Sequence, residues 1–415
     1  MQKRLITNIG CLVNVREQNR LLRGNELSQM PCIENSYLLL ENGSIAGYGN
    51  MAEIDNILNT QADVPRLSVD GAYVLPCWCD SHTHIVFAAS REDEFRNKIK
   101  GLSYAEIAAK GGGILNSAAK LNKLTEDQLF DLALERLNEV IRSGTGAIEI
   151  KSGYGLTLEG EIKMLRVVER LKKTANIPIK ATFLGAHAFP AEYKNDHEKY
   201  LSLLINEMLP NIAKENLADY IDVFCEQGFF SAEEMARICE AGTKYGLKPK
   251  LHVNQLSSIG GIEAAIALNA LSVDHLETMS DEEIEKLAHS ETIATMLPTA
   301  AYFLRMAFPP ARKMIDAGCA VALASDYNPG SSPSGNMNMV VSMSCIQMKM
   351  LPEEAINAAT INGAYAMELE DEVGSIAIGK KANLIFTKKI PSLTYLPYAF
   401  GINLIDKVMI NGEFV

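Results

Sequence analysis

Histidine and carboxylate residues that could bind a metal ion recur at particular points of this 415-residue sequence. His82 and His84 follow an apolar run and are two residues apart, so in a strand both side chains would point to the same face. Further histidines follow later apolar runs, and Asp326 follows the last of them. Neutral imidazoles with one carboxylate suit a borderline divalent ion such as Zn²⁺ or Fe²⁺, with a position left open for water. The residue types therefore predict a site for a divalent ion.

The segment that carries these residues alternates apolar, β-branched runs with helical stretches, a pattern typical of βα units around a parallel sheet. Eight candidate strands occur in it, at residues 74–86, 146–155, 177–187, 220–228, 248–255, 271–277, 292–299 and 320–328. Eight units in roughly 290 residues are typical of an α/β fold of the (β/α)₈ TIM barrel type. An open, doubly wound sheet would give the same alternation, so the count alone leaves both folds open.

Five of the seven histidines fall at the carboxyl ends of these predicted strands, where a barrel assembles its active site. They are His82, His84, His187, His252 and His275. Other polar residues share these ends, namely Lys151, Tyr154, Glu226, Gln255, Asp274, Asp326 and Asn328. His197 and His289 fall in predicted helix or loop surface instead. This distribution predicts a site at one mouth of the barrel.

The residue pattern at both chain ends differs from the pattern of the middle segment. Short alternating runs are interrupted by Asn42-Gly43 near the start and Asn411-Gly412 near the end, and Asn-Gly between such runs indicates a hairpin. We expect one small composite β domain built from residues 1–76 and 370–415, with the barrel at 77–369.

Composition excludes several classes of function. The 51 acidic residues against 39 Lys and Arg give a net charge of −12, the wrong sign for binding nucleic acid or an anionic membrane surface. No signal-peptide pattern and no uncharged apolar run of transmembrane length occurs, so we expect a cytoplasmic protein without membrane contact. The eight cysteines lack zinc-ribbon spacing, which leaves histidine, aspartate and glutamate for any metal chemistry.

The residues at the strand ends resemble the metal-dependent amidohydrolase superfamily. The resemblance is carried by His82-Thr83-His84 after an apolar strand, by two later histidines and by Ser325-Asp326 in the eighth strand. It implies that one metal ion is bound by His82, His84, His252 and Asp326. It also implies a substrate pocket lined by Arg91, Tyr104, Tyr154, His187, Gln255, Asn328, Gly330 and Ser331.

Longer segments are similar, over essentially the full chain, to the branch of this superfamily that opens an imidazolone ring in histidine degradation. They are CDSHTHIVFAASREDEF, the GGGI of residues 111–114, IKSGYGL, FLGAHAFP, KLHVNQLS, VDHLE and ASDYNPGSSP. This similarity implies hydrolysis of the ring amide C–N bond of a small-molecule substrate, 4-imidazolone-5-propionate, to N-formimidoyl-L-glutamate. Asp326 would receive the proton of the attacking water, and His275 would polarise the carbonyl or relay the proton. A homodimer is a further expectation from this branch.

Two alternative functions remain open at this point. Deaminases of the superfamily place a glutamate proton shuttle three residues after the histidine of strand five, where this chain has Gln255. An amide has no proton to exchange at neutral pH, which disfavours deamination of a small heterocycle. A non-catalytic scaffold with the same fold is the other alternative, but such proteins usually lose several metal ligands, which are all present here.

Lys151 and Glu226 have no assigned role in this interpretation. A lysine in the superfamily can be carbamylated to bridge two ions, but its usual location is strand four, where this chain has Cys225 and Glu226. We therefore expect a single ion.

Overall fold

The computed structural model describes residues 3–60, 63–102 and 112–415 of the chain. Its strands, in chain order, are β1 (Lys3–Val13), β2 (Cys32–Glu41), β3 (Ser44–Asn50), β4 (Arg66–Ser68), β5 (Tyr73–Pro76), β6 (Trp78–Thr83), β7 (Thr145–Lys151), β8 (Ile179–Ala186), β9 (Tyr220–Cys225), β10 (Lys248–Val253), β11 (Ser272–His275), β12 (Ile293–Met296), β13 (Val321–Leu323), β14 (Leu384–Thr387), β15 (Ile405–Ile410) and β16 (Glu413–Phe414).

The helices of the described residues surround the second of two sheets or connect their strands. They are α1 (Ile54–Thr60), α2 (Glu92–Ile99), α3 (Ile114–Lys123), α4 (Glu126–Arg142), α5 (Leu158–Thr174), α6 (His197–Leu203), α7 (Leu209–Glu215), α8 (Ala232–Thr243), α9 (Gly261–Ala267), α10 (Asp281–Ala288), α11 (Pro298–Leu304), α12 (Ala311–Asp316), α13 (Met337–Met348), α14 (Pro352–Ala359), α15 (Ile361–Tyr365) and α16 (Tyr395–Tyr398). None of these helices has both the length and the apolar character needed to cross a membrane.

Both chain ends contribute to the first sheet, in the order β16-β15-β14-β5-β1-β2-β3, with β4 pairing with β1. The two predicted Asn-Gly turns connect β2 to β3 and β15 to β16, and all four turn residues have positive φ. Such φ values match the twist of a two-residue hairpin, which explains why Asn-Gly is found there. In β2, Leu38 and Leu40 pack in one apolar cluster while Tyr37 and Leu39 pack in another, so both faces are covered.

The second sheet contains β6 to β13 in chain order, and every neighbouring pair is parallel. The first and last strands also meet: the Asp326 N–H donates to the His82 carbonyl at 3.0 Å, and the His84 N–H donates to the Tyr327 carbonyl at 2.9 Å. A doubly wound sheet would leave these edges apart. The predicted (β/α)₈ barrel is therefore confirmed, and its closing seam lies at the predicted metal ligands.

One predicted strand is in fact two. The segment 74–86 is predicted as the first barrel strand, but β5 pairs in the first sheet and β6 in the barrel. The chain changes sheets between Cys77, whose N–H donates to the Asn383 carbonyl, and Trp78, whose N–H donates to the Gly144 carbonyl. Periodicity cannot show such a change because the buried apolar run 74–79 continues without a break across it.

Helix α4 shows how local sequence fixes the outer layer. The predicted capping box is present, because the Thr125 side chain accepts from the Gln128 N–H while the Gln128 side chain accepts from the Thr125 N–H. Its apolar residues Leu129, Ala133 and Leu137 are buried on the barrel side.

Candidate active site

The four predicted metal ligands converge at the closing seam. Nε2 of His82 lies 3.3 Å from Nε2 of His84, and Oδ1 of Asp326 lies 3.6 and 3.5 Å from these two atoms. The ligand atoms of His82, His84 and His252 all lie within 4.8 Å of one another, as do those of His82, His275 and Asp326. All five side chains are buried.

These distances fit a divalent ion bound by nitrogen and oxygen. Metal–ligand bonds of about 2.0–2.1 Å in a tetrahedral arrangement place neighbouring ligand atoms about 3.3–3.4 Å apart. Burial lowers the pKa of His82, His84 and His252 well below the ordinary value, and the neighbouring cationic side chains lower it further. The imidazoles are therefore neutral at neutral pH, which is the form that binds a metal.

Two buried aspartates orient two of these histidines from behind. Oδ2 of Asp274 lies 2.6 Å from Nδ1 of His82, and Oδ2 of Asp222 lies 2.7 Å from Nδ1 of His252. A carboxylate on Nδ1 fixes the tautomer with the proton there and leaves the lone pair of Nε2 available to a metal ion.

Asp326 is oriented by the loop that follows it. Ser331 Oγ donates to its Oδ2 at 3.1 Å, which leaves Oδ1 facing the two histidines. Asn328 in turn accepts from the N–H groups of Gly330 and Ser331 and donates to the Asp326 carbonyl. The backbone of Asp326 has φ +52, a conformation that non-glycine residues rarely adopt and that such hydrogen bonds stabilise.

His275 lies against the same cluster. Its Nδ1 is 3.4 Å from Oε1 of Glu277, and although burial opposes a charge there, Glu277 raises the pKa of His275. Its backbone has φ +89, so a second residue at the centre of the site is held in the left-handed region. Burial raises the pKa of Asp326 to about 6, and His275 opposes that shift.

A cavity of about 500 Å³ opens above this cluster. All predicted substrate-binding residues that the structure describes line it, and Tyr104 lies outside the described residues. The remaining lining is Lys98, Ile114, Phe224, Phe229, Leu256, Leu304 and Met306, together with His84, His252, His275 and Asp326. The volume and the mixture of aromatic, apolar and few polar groups are typical of a site for a small molecule.

Aromatic rings form one wall of this cavity. The His187 ring stacks on the His84 ring with centroids 5.5 Å apart, and the Tyr154 ring meets His187 edge-on at the same distance. His187 Nδ1 lies 3.0 Å from the Gly153 carbonyl, which accepts its proton. Burial lowers the pKa of His187 to about 4, so the neutral ring offers Nε2 as an acceptor.

Arg91 brings positive charge to the cavity. Its Nη2 pairs with Oε2 of Glu94 at 2.5 Å, and a Cβ on Gly330 would lie 2.5 Å from its Nη1. The absence of a side chain at Gly330 therefore lets the guanidinium reach the cavity. Glu94 also accepts from the Gly113 N–H, which ties Arg91 to the loop before α3. Arg91 and Lys98 thus place positive charge at this cavity.

A family model for amidohydrolases matches residues 73–415 of the chain. The chain belongs to the amidohydrolase family. An imidazolonepropionase from Christiangramia forsetii is 55% identical over 412 residues, which are 99% of each chain. One from Flavobacterium psychrophilum is 54% identical over 414 residues, which are 100% of each chain. The superfamily resemblance and its imidazolone-opening branch are thereby confirmed.

A solved guanine deaminase from E. coli has a similar architecture at 14% identity, with a TM-score of 0.74 over 100% of this chain and 99% of that one. At that identity the likeness shows the amidohydrolase fold alone.

Lys151 occupies a different place from that of a metal-bridging lysine. It is fully buried, and its Nζ contacts Glu149, Asp222 and Asp274 at 2.8, 2.9 and 3.5 Å. This amidohydrolase chain therefore uses Lys151 as an ammonium paired with three carboxylates.

Glu226 positions the loop that carries Gln255. Its carboxylate accepts from the Leu256 N–H at 2.8 Å and from the Ser257 hydroxyl. Glu161 has the same role for the Tyr154 loop, accepting from the N–H groups of Gly153, Gly155 and Leu156 at 2.8–2.9 Å.

Sequence reasoning named Glu226 without a role and missed Glu161 and Asp222 altogether. Glu161 lies in a helical stretch and Asp222 in the middle of a predicted strand, positions that ordinarily suggest solvent or core. A signal was present for Asp222, because an aspartate inside an otherwise apolar strand must have a partner when buried.

Proposed function

We propose that this chain is an imidazolonepropionase, which hydrolyses the ring amide C–N bond of 4-imidazolone-5-propionate to give N-formimidoyl-L-glutamate. The observation that carries the proposal is the joint presence, in one cavity, of a histidine–aspartate metal site, an aromatic wall and an arginine. In the substrate, the ring carbonyl matches the metal site, the flat ring matches the aromatic wall, and the side-chain carboxylate matches the arginine.

We propose His82, His84, His252 and Asp326 as the ligands of one divalent ion, Zn²⁺ or Fe²⁺. When bound, such an ion lowers the pKa of water and polarises a carbonyl. The nitrogen and oxygen donors and the 3.3–3.6 Å spacings support a borderline ion over a purely oxygen-binding one.

Two side chains of the protein handle the proton transfers and the polarisation of the carbonyl. Asp326 accepts a proton from the water that adds to the ring carbonyl carbon, and its position beside two ligand nitrogens supports that role. His275, on the neighbouring side of the cluster, polarises the carbonyl oxygen or delivers the proton to the ring nitrogen as the C–N bond breaks. The ring carbonyl carbon, which now carries the oxygen of the water as well as its own, becomes the α-carboxylate of the product.

The substrate is held by groups around the cavity. Arg91 pairs with the propionate, since a guanidinium fork matches a carboxylate. Gln255 donates and accepts at the ring edge, and Tyr154 and His187 cover the ring face, with Asn328, Gly330 and Ser331 closing the other side. We also retain Tyr104 as a substrate-binding residue, although it lies outside the described residues.

Gln255 also disfavours a deaminase, because its amide cannot carry a proton between water and a leaving amine. The complete set of candidate ligands disfavours a scaffold.

We further propose that the enzyme is cytoplasmic and homodimeric, and that residues 1–76 with 370–415 form one domain beside the barrel at 77–369.

The test is loss of imidazolonepropionate absorbance, with the substrate generated in place from urocanate. The protein is assayed as purified, after chelation and after return of Zn²⁺ or Fe²⁺, and the product is identified by mass. Chelator-sensitive formation of formimidoylglutamate supports the proposal. His252→Ala should abolish turnover, whereas His289→Ala, which alters an exposed histidine, should not.

Ammonia release from guanine by the same preparation would favour the deaminase alternative. A protein that holds about one ion per chain yet leaves the imidazolone unchanged would overturn the proposed substrate.

A further inference from the structure

Five charged side chains lie beneath the metal site without any exposure to solvent. They are Glu149, Lys151, Asp222, Lys250 and Asp274. Buried charges are costly unless each has a partner, so a set of this size in the barrel interior requires an explanation. The proposed reaction uses none of them directly.

The contacts of Lys151 converge on particular oxygen atoms. Its Nζ lies 2.9 Å from Oδ2 of Asp222 and 3.5 Å from Oδ2 of Asp274. These same two Oδ2 atoms lie 2.7 and 2.6 Å from Nδ1 of His252 and His82. One ammonium therefore contacts both of the oxygens that orient two of the proposed ligands.

We infer that Lys151 is a positioning residue for the metal centre, which holds the Asp222 and Asp274 carboxylates on Nδ1 of His252 and His82 and so directs both Nε2 atoms toward the ion. The inference rests on the proposed metal site and adds to it the group that aligns its ligands. Without the ammonium, two buried carboxylates would face each other and Glu149 with less compensation, and each would gain by rotating away or by taking up a proton. Either change disturbs the histidine it orients.

The charge state of Lys151 agrees with this role. Although burial opposes a charge, Asp222 and Glu149 raise the pKa of Lys151 above its ordinary value. The three surrounding carboxylates also disfavour carbamylation, because a carbamate would add a negative group among them.

A purely structural ion network is the competing explanation, and Lys250 provides a matched control. It is also fully buried and belongs to the same network, where its Nζ contacts Oε2 of Glu149 at 3.1 Å, Ser272 Oγ at 2.9 Å and the Ala366 carbonyl at 2.7 Å. Among the described residues, its Nζ is hydrogen-bonded to neither Asp222 nor Asp274, and it reaches Asp274 through Ser272, whose hydroxyl donates to Oδ1, the oxygen that does not contact His82. Although burial opposes it, Lys250 and Lys151 both lower the pKa of Asp274, so loss of Lys250 removes charge near that carboxylate but not the contact with either Oδ2 atom. It should therefore weaken the fold and misalign the histidines less than loss of Lys151 does.

The experiment compares Lys151→Met and Lys250→Met in the full chain, with Zn²⁺ alone as the probe and a chromophoric chelator as competitor. We expect Lys151→Met to lower Zn²⁺ affinity roughly 10- to 100-fold, the range for loss of an outer-sphere partner. Lys250→Met should change it by less than about threefold while lowering the melting temperature. Imidazole ¹⁵N spectra of the metal-free proteins should show altered tautomers of two histidines only in the Lys151 variant.

Equal Zn²⁺ affinity in the wild type and Lys151→Met, or equal losses in both variants, would overturn the inference. If Lys151→Met does not fold, Lys151→Met/Glu149→Gln removes one charge of each sign and is measured in the same way. Failure of the wild type itself to bind Zn²⁺ would instead refute the proposed metal site.

Discussion

Several side chains of this site use one polar atom to contact the protein and direct the other at a common point. Asp326 uses Oδ2 for Ser331 and directs Oδ1 at the histidines, while His82 and His252 each use Nδ1 for an aspartate and direct Nε2 at the same point. Three of the four candidate ligands, His82, His252 and Asp326, therefore have one atom fixed by the protein and one available. This arrangement reduces the reorganisation needed when an ion binds.

Gln255→Glu tests the direct role of Gln255 in binding. The substitution preserves size but places a negative charge in the cavity that is proposed to receive an anionic substrate, so KM should rise about tenfold or more. Steady-state kinetics of the metal-loaded enzyme measure it, with Gln227→Glu, at an exposed glutamine, as the control. An unchanged KM in Gln255→Glu would refute the contact.

Gly330→Ala tests the approach of Arg91. The added Cβ would lie 2.5 Å from Nη1, and because the guanidinium is the far end of a flexible side chain it should move away. We expect KM to rise about tenfold, near 1.4 kcal/mol of lost binding, with a smaller effect on kcat. Gly47→Ala is the control, since its Cβ would meet only Leu39 Cβ at 4.0 Å. A fall in kcat at constant KM would contradict a role in substrate binding.

Elements bring these residues together through the closure of the barrel. Asp80 at β6 accepts from the Ser325 N–H at 2.9 Å and from its hydroxyl at 2.6 Å, next to the backbone bonds that join the first and last strands. Candidate ligands more than 240 positions apart in the sequence, His82 and Asp326, thereby become neighbours. The seam of the barrel and the proposed metal site are the same place in the fold.

The carboxyl-end positions of the site residues could be predicted because polar residues after buried strands are conspicuous. The split between β5 and β6 could not, since Cys77 and Trp78 lie in one apolar run. Nor could the contacts of Lys151 or Glu161 be predicted, because each depends on residues from other elements. The role of Arg91 in a charged run likewise required its packing against Gly330. The assigned domain limits stay a prediction.

Glu161→Gln tests whether α5 holds the Tyr154 loop. The carboxylate accepts three backbone N–H groups of a loop in which Gly153 and Leu156 have φ of +105 and +54. An amide keeps one acceptor oxygen and adds a donor that faces these N–H groups, so the loop should loosen. We expect KM to rise several-fold and hydrogen exchange to accelerate at residues 153–156.

The matched control is Glu159→Gln, an exposed glutamate of the same helix, which should alter neither quantity. Unchanged exchange in Glu161→Gln would show that the loop does not depend on this carboxylate.

The whole molecule combines two sheets that share buried polar contacts at their junction. Asn14 at the end of β1 donates to Thr360 Oγ1 at 3.2 Å, and Arg16 donates to Asn357 Oδ1 at 3.3 Å. These contacts join the chain start to α14 and the residue after it, on the barrel side. Buried polar groups of this kind must all be satisfied, which fixes how the two sheets meet.

Lys380 lies in the segment that leads from the barrel back to β14 and is 3% exposed, with its Nζ bonded to the Val373 carbonyl and Ser375 Oγ. Burial lowers its pKa from 10.5 to about 8. Below pH 8 both the folded and unfolded states hold the proton, and the folded state bears the cost of the buried charge. As pH rises from 8 to 10.5 only the unfolded state keeps the proton, so the free energy of unfolding rises with pH.

Lys380→Met removes this dependence. Urea unfolding at pH 8, 9 and 10 should show the free energy of unfolding of the wild type rising relative to that of the variant. Over the full interval between the two pKa values, about 8 and 10.5, the rise is about 3 kcal/mol at 1.36 kcal/mol per pKa unit. Lys389→Met, at an exposed lysine of the same region, should follow the wild type at every pH. A difference between wild type and Lys380→Met that stays constant from pH 8 to 10 would mean that Lys380 titrates alike in both states, and that the junction leaves its ammonium as well solvated as water does.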